Sequence, residues 1–368
     1  MRAVGIILAG GENDRLGKLT DERASSAMPV GGCYRAIDFT LSNMTNSGIK
    51  KVAVITQYNS RSLHDHLSSS KWWDFGDKSG GMFVFTPFKT KNSDQWFRGT
   101  ADSMYQNLTF LRRSKEQYAI ITSGDGVYKM DYNALIDFHK EKGAEITIAC
   151  KDLTGMDVRN FGVVNMDDER RIVGFEEKPL EAESSIISLG IYVVERERLI
   201  EMLEEANKEG HYNFVRDVLV RRRKQMNTYG YLYGGYWATI NSIDSYYNIN
   251  MDFLRPDVRE AFFKQEPYIA TKNKDEPPAK YNIKANVRNC LIGGGSIIDG
   301  DVQNSVLFRS VHIKEGAHVS GSVLMEGCKI GEGCVVENAI LDKNVELKDY
   351  DVVKGEPGNP KIIMKSYD

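Results

Sequence analysis

Nowhere do the five cysteines of this 368-residue sequence, Cys33, Cys150, Cys290, Cys328 and Cys334, form a CxxC pair. Their number is odd and their spacing fits neither a zinc site nor a disulfide framework, so free thiols in a reducing cytoplasm are expected. No apolar run approaches the roughly 20 residues that a membrane helix needs. The opening MRAVGIILAG is short and lacks the small-residue cleavage site of a signal peptide, so a cytoplasmic protein without a membrane partner is expected. Excess charge of one sign is also missing: 48 Lys and Arg against 51 Asp and Glu leave a net charge of −3. A basic field for nucleic acid is thereby excluded. Histidines are few, and His64 and His66 in SLHDHL are expected on different sides of one helix surface. The last absence is local. ILAGGENDRLGKLTDERASSAMPVGG runs from a strand into a glycine turn suited to phosphate oxygens, yet it carries Glu12 and Asp14 and has Ser25 and Ser26 instead of a lysine.

Short apolar runs alternate with helical patterns up to about residue 254. VGIILAG, KKVAVIT, YAIITSGDG and AEITIAC read as strands. AIDFTLSNMTNSG, SMYQNLTFLRR and NALIDFHKEKG read as helices, with Gly48 and Gly143 as stops. The alternation predicts a doubly wound parallel α/β sheet. FGVVNMDDERRIVGFEEK instead predicts an antiparallel hairpin, followed by the strand SIISLGIYVV and the helices RERLIEMLEEANKEG and NFVRDVLVRRRK, whose basic RRRK end is expected to be solvated.

Residues 255–284, with KNKDEPPAK inside, read as a polar linker between a first domain, 1–254, and a second, 285–368. The second repeats every 17 residues: Val306, Val323 and Ile340; Leu307, Leu324 and Leu341; Ile313, Ile330 and Leu347; Val319, Val336 and Val353. Apolar residues five to seven apart beside Gly and Asn turns are the hexapeptide-like spacing of a parallel β-helix. Its columns are expected to fill the coil interior, and its few coils to need packing on the first domain or on another subunit. His312 and His318 are expected as outward turn residues rather than as the bases of an acyltransferase.

Four constellations carry chemistry. The ILAGG turn offers N–H groups to phosphate. In SGDGVY, Asp125 closes a central strand, where open α/β sheets bind ligands and where a carboxylate can hold Mg²⁺. In FEEKP, Lys178 can meet a phosphate as a point charge and Glu177 can accept sugar hydroxyls. In WFRGTADS, a Gly-Thr turn opens a helix and offers N–H donors to a nucleotide.

Taken in order, LAGG…RL…LT…RA, GGCYRAIDFTLSN, NSGIKKVAVITQYNSRSLHDH, FRGTADSMYQNL, SGDGVYKMDY, FGVVNMDDERRIVGFEEKP, SLGIY, NFVRDVL and GYW…SIDSYYNINMDFL resemble the ADP-glucose pyrophosphorylase (glucose-1-phosphate adenylyltransferase) family from end to end. The resemblance implies a nucleotidyltransferase-type, Rossmann-like mixed-sheet domain followed by a C-terminal left-handed parallel β-helix. It also implies Mg²⁺-assisted attack of glucose 1-phosphate on the α-phosphorus of ATP, catalysed by positioning and electrostatics. It puts nucleotide binding on Leu8, Ala9, Gly10, Gly11, Gln57, Gly99, Thr100 and Asp125. Sugar-phosphate binding falls on Gly162, Glu177, Lys178, Ser188 and Asp217.

The family loop G-G-x-G-T-R-L followed by R-A-K-P reads here GGENDRL and RASS. Arg15 and Arg23 match, Asn13 and Asp14 replace glycine and threonine, and Ser25 and Ser26 replace lysine and proline. The second metal acid, in G-Y-W-x-D-V-G-T, is Thr239, with Asn241 in the glycine's place, and the histidine beside Asp125 is Gly126. Arg15, Asp125 and Lys178 then remain as vestiges of catalysis, with Asp125 a weak metal ligand at most and Mg²⁺ not bound productively. Such a chain resembles the non-catalytic GlgD-type subunit that works in a mixed tetramer with a catalytic GlgC-type partner in glycogen biosynthesis. Nucleotide, sugar phosphate or anions are its candidate effectors. Cys33, where many members have lysine, and Glu22 point to effector control in the partner. The alternative is an enzyme active by itself, with Glu12, Asp14 or Lys18 as unusual ligands.

Overall fold

The structure, a computed structural model, describes residues 3–76, 80–88, 96–221 and 226–365. Ala3–Ala9, Lys51–Thr56 and Tyr118–Ser123 are almost wholly buried, which is why their sequences are apolar runs rather than alternating ones. They form the parallel centre of a nine-stranded sheet, with Gly81–Phe85 parallel at one edge. The rest departs from a purely parallel sheet. Ile186–Glu195 runs antiparallel to both Tyr118–Ser123 and Ile146–Asp152, and Thr228–Leu232 pairs with the latter in parallel. Gly162–Met166 and Ile172–Glu177 form the expected antiparallel hairpin. A register irregularity between Ser188 and Tyr192, with Gly190 at φ +70°, lets Ile186–Glu195 meet the hairpin at Ile187 and the central strand from Tyr192 onward. Bulges of this kind re-aim side chains beside ligand sites.

The helices follow their sequence signals. Ala36–Asn46 ends before Gly48 at φ +73°, and Tyr132–Glu141 ends before Gly143 at φ +56°. SMYQNLTFLRR breaks at Asn107 into Thr100–Gln106 and Leu108–Arg112. NFVRDVL forms a widened π-helical segment, Phe214–Val220, and the RRRK run beyond Arg221 lies outside the described residues. His66 is not on a helix surface. It is 6% exposed, with its Nε2 2.6 Å from Oδ1 of the buried Asp38, while His64 Nε2 lies 2.8 Å from Thr56 Oγ1.

Three five-stranded parallel sheets make up the C-terminal β-helix, the arrangement of a left-handed β-helix. The repeat positions are in register: Val302 faces Val319, which faces Val336, and Leu307 faces Leu324, which faces Leu341. These columns fill the coil interior. The column Val306, Val323 and Ile340 does not. It joins Tyr246, Phe253 and Phe39 in a cluster shared with the first domain. The 17-residue step predicts which residues align, but not which side of the coil they face. His312 and His318 lie on strands of this domain, His312 exposed and His318 half-buried.

The stretch read as a linker carries regular structure at both ends, with residues 264–279 in neither helix nor strand. Pro256–Phe263 is a helix that buries Val258 and Phe262, and Lys280–Tyr281 pairs with Ile297–Ile298 as the first strand of its coil sheet. A buried ion pair fastens the two domains. Arg23 Nη1 and Nη2 lie 2.5 and 3.2 Å from Asp342 Oδ1 and Oδ2, both side chains being 7% exposed. Tyr247 adds a hydrogen bond of 2.6 Å to the Gly321 carbonyl. Among the described residues no helix is long and apolar enough to cross a membrane.

Candidate active site

At the carboxyl ends of the central strands a cavity of about 620 Å³ opens over Leu8, Ala9, Ser123 and Asp125. The hairpin supplies one wall with Gly162, Glu177 and Lys178, and the bulged strand adds Ser188 and Tyr192. The opposite contributors are the loop residues Gly11, Glu12, Asp14, Arg15 and Ser25, together with Thr239. A smaller cavity of about 290 Å³ shares Leu8, Gly11, Glu12 and Thr100 with it and is completed by Gly10, Gln57 and Gly99. The topology thus gathers residues spread over more than 230 positions of sequence.

Asp125 sits on the floor of the larger cavity. Burial pushes its carboxyl pKa up, and hydrogen bonds from the hydroxyls of Ser123, Thr239 and Ser25 pull it partly back. The two residues at the family's lysine and second metal-acid positions, Ser25 and Thr239, are therefore neutral hydroxyls lining the cavity beside this carboxylate. Gly126 follows because a Cβ there would come within 2.7 Å of the Tyr128 ring, whose hydroxyl is fixed by Thr122 and Tyr132 at 2.9 and 2.7 Å. Among the described residues no three His, Cys, Asp or Glu side chains gather as a metal-ligand set. Asp125, which accepts the Ser123 hydroxyl and has Thr239 where a second acid would stand, does not fit a two-carboxylate Mg²⁺ site.

On the hairpin wall, Glu177 is exposed as a residue, yet desolvation of its carboxyl among neighbouring protein atoms raises its pKa against the lowering effect of Lys178. Lys178 has φ +50°, left-handed backbone for a non-glycine residue, and its amide donates to the Phe161 carbonyl at 3.0 Å. Such a conformation costs on the order of 1 kcal/mol and collects at functional sites. Its ammonium makes no hydrogen bond or ion pair with another described residue. Arg15 lies at the cavity, its Nη1 2.9 Å from Asn160 Oδ1.

Three expected ligand residues spend polar groups on the protein's own backbone, two of them, Gln57 and Thr100, while lining a cavity. Asp217 lines neither cavity; it accepts the amides of Tyr212 and Asn213 at 3.1 and 2.9 Å and pairs with Arg216, whose hydrogen bond holds its pKa down at about 2. The carboxylate shapes the turn behind the Gly-Thr motif. The Tyr212 carbonyl in that turn accepts the amides of Ala101 and Asp102, so these two helix N–H groups do not face a ligand, and Thr100 Oγ1 accepts the Phe214 amide at 2.9 Å. Gln57 spends both ends of its amide on the backbone of Phe97, at 2.7 and 3.4 Å. Arg23, matched to the loop pattern, turns away to Asp342. Lys18 is exposed and lines neither cavity. Asn241, noted in the sequence at the family's glycine position, lines the cavity; Trp237 and Asn160 line it too and were not singled out, the GYW motif being the available signal for Trp237.

The nucleotidyl transferase family matches residues 4–255, and the GlmU-like, C-terminal hexapeptide family matches residues 277–358. The glucose-1-phosphate adenylyltransferase of Thermosipho africanus (strain TCF52B) is 39% identical over 320 residues, 86% of this chain and 77% of that protein. That of Bacillus cereus (strain Q1) is 39% identical over 321 residues, 86% of this chain and 85% of its own. The chain belongs to the glucose-1-phosphate adenylyltransferase family. Within this adenylyltransferase frame the hairpin wall carries Glu177 and Lys178, while the loop corner carries Glu12 and Asp14 and has Ser25 at the lysine position.

Proposed function

We propose that this chain is a regulatory or structural subunit of glucose-1-phosphate adenylyltransferase in glycogen biosynthesis, of the GlgD type. In this reading it works in a mixed tetramer with a catalytic GlgC-type subunit and has little or no turnover alone. The observation that carries the reading is the Asp125 corner, where Ser25 and Thr239 put hydroxyls in place of an ammonium and a carboxylate while Glu12 and Asp14 add negative charge to the same cavity. A transferring phosphoryl group needs its charge neutralised by cations. Each missing contact of that kind costs on the order of 10²–10³ in rate, and losses in one cluster are not additive. Mg²⁺ is not held productively in this reading.

Glu177, Lys178 and Ser188 support retained binding of a sugar phosphate, so the pocket can take glucose 1-phosphate or a nucleotide as an effector. A subunit can stabilise its neighbour's active state without turning over substrate, provided its ligand prefers that state. The second reading, an enzyme active by itself, draws on Arg15 at the cavity and the unpaired Lys178. Pyrophosphate release measured on the purified chain, on a catalytic relative and on their mixture separates the two. The first reading expects a gain on mixing that exceeds the sum; appreciable turnover alone with no gain on mixing refutes it.

A further inference from the structure

The loop that follows the first strand, residues 11–20, is fastened at its base. Leu16 and Leu19 are buried in the cluster that holds Tyr246 and Phe253. The Thr20 hydroxyl donates to the Gly17 carbonyl at 3.1 Å, and Asn59 Nδ2 donates to the Thr20 carbonyl at 2.7 Å. The rim of the loop, with Glu12, Asn13, Asp14 and Arg15, faces the large cavity. Two side chains of that rim reach across to other elements. Asn13 Nδ2 donates to the Ile240 carbonyl at 3.3 Å, and Arg15 Nη1 donates to Asn160 Oδ1 at 2.9 Å. The Ile240 amide donates in turn to the Asp125 carbonyl at 3.1 Å. The rim is thus tied on one side to the strand that carries Thr239 and on the other to the turn before the hairpin.

Asn160 is presented by a turn that is itself held. Beside it, the Phe161 amide donates to the Val158 carbonyl at 3.0 Å, and the Phe161 carbonyl accepts the Lys178 amide at 3.0 Å. The Phe161 ring packs edge-on against Trp237, with 5.9 Å between centroids. The acceptor is therefore fixed, and the loop comes to it. Glu12 and Asp14 share the loop with Arg15, yet among the described residues Arg15 forms no ion pair. Its guanidinium crosses the cavity rim to a neutral amide instead. A neutral acceptor holds a guanidinium about half as strongly as a charged one, so the contact fastens the loop and can still open.

We propose that the Arg15–Asn160 contact is an autoinhibitory latch: Asn160 holds the rim of the loop against the hairpin side and withholds the Arg15 guanidinium from the cavity. Asn160 is in these terms a positioning residue, acting through Arg15. The Asn13 bond to Ile240 secures the other side of the same rim. The latch restrains the loop by geometry, in addition to the charge deficit of the Asp125 corner, and it stands whether or not the chain turns over substrate.

The test is amide hydrogen exchange on the full chain, read by peptide mass spectrometry. Asn160 is exposed, so its replacement leaves the core intact. In Asn160→Ala the amides of residues 11–20 are expected to exchange about fivefold faster than in the parent, the worth of one hydrogen bond, while the buried strand Ala3–Ala9 keeps its rate. Asn160→Asp gives Arg15 a charged acceptor and is expected to slow the same amides about threefold. In an Arg15→Ala chain, adding Asn160→Ala is expected to change nothing. Equal exchange in parent and Asn160→Ala, no slowing by Asn160→Asp, or an acceleration that persists without Arg15 overturns the inference. A second measurement reads the guanidinium directly. Modification of Arg15 by phenylglyoxal is expected to run about fivefold faster in Asn160→Ala than in the parent; equal rates overturn the inference.

Discussion

Asp342 and Asp125 are both carboxylates withdrawn from bulk water, and they are compensated in different ways. Asp342, 5% exposed in the β-helix, receives both ends of the Arg23 guanidinium. Asp125, on the cavity floor, accepts the Ser123 hydroxyl, with the hydroxyls of Thr239 and Ser25 and a backbone amide also lowering its pKa and no cation among these causes. Removing one partner of a buried pair leaves an uncompensated charge and is heavily destabilising, so the clasp between the domains is intolerant of change. Hydroxyls satisfy a carboxylate's lone pairs without neutralising it. A corner built that way is compatible with the fold, and it is the feature on which the proposed helper-subunit role rests. The comparison teaches that one buried carboxylate, at the junction of the domains, is matched by a cation, and the other, on the cavity floor, by hydroxyls.

The largest effect is expected at the clasp. Asp342→Asn leaves Arg23 buried and unpaired and lowers stability by about 3–5 kcal/mol, measured by urea denaturation. A loss under about 1 kcal/mol, the range of an exposed pair, would erase the distinction between the two carboxylates. Next comes restoration of the corner. The combined variant Asn13→Gly, Asp14→Thr, Ser25→Lys and Thr239→Asp is expected to raise pyrophosphate release by on the order of 10² or more. Unchanged activity would mean that the corner is remodelled beyond these four positions. On the retained wall, Lys178→Ala is expected to weaken glucose 1-phosphate binding about tenfold, or about 1.4 kcal/mol, as read by calorimetry. Unaltered affinity would take Lys178 out of the binding wall.

The smallest effect concerns Asp125 itself. Its folded-state pKa is raised by burial, so the charged form is penalised in the folded protein. That penalty is complete above the folded pKa and disappears as pH falls towards the ordinary carboxylate range. Asp125→Asn is therefore expected to raise stability at pH 7 by on the order of 1 kcal/mol, with the advantage shrinking as pH drops towards 4. Destabilisation at pH 7 would mean that the hydroxyl cage compensates the charge as well as Arg23 does.

Much of the frame was legible because periodicity and turn residues act locally. The strand and helix runs, the hairpin around the charged turn, and the 17-residue register of the coils all follow from patterns within one stretch of chain. What was not legible depends on contacts between distant segments. That Arg23 turns towards Asp342 instead of the loop is decided 319 positions away. That Asp217 shapes a turn, and that Gln57 is occupied by Phe97, follow from backbone amides no motif displays. His66 looks like a surface residue in SLHDHL until the helix Ala36–Asn46 brings Asp38 against it.

A crystal soaked with ATP and Mg²⁺ probes the Asp125 corner most directly. The expected density shows no magnesium-bridged triphosphate beside Asp125, whose oxygens stay with Ser25, Ser123 and Thr239. A fully liganded nucleotide there, with metal bound to Asp125 and neighbouring side chains supplying the missing positive charge, would contradict the helper-subunit reading.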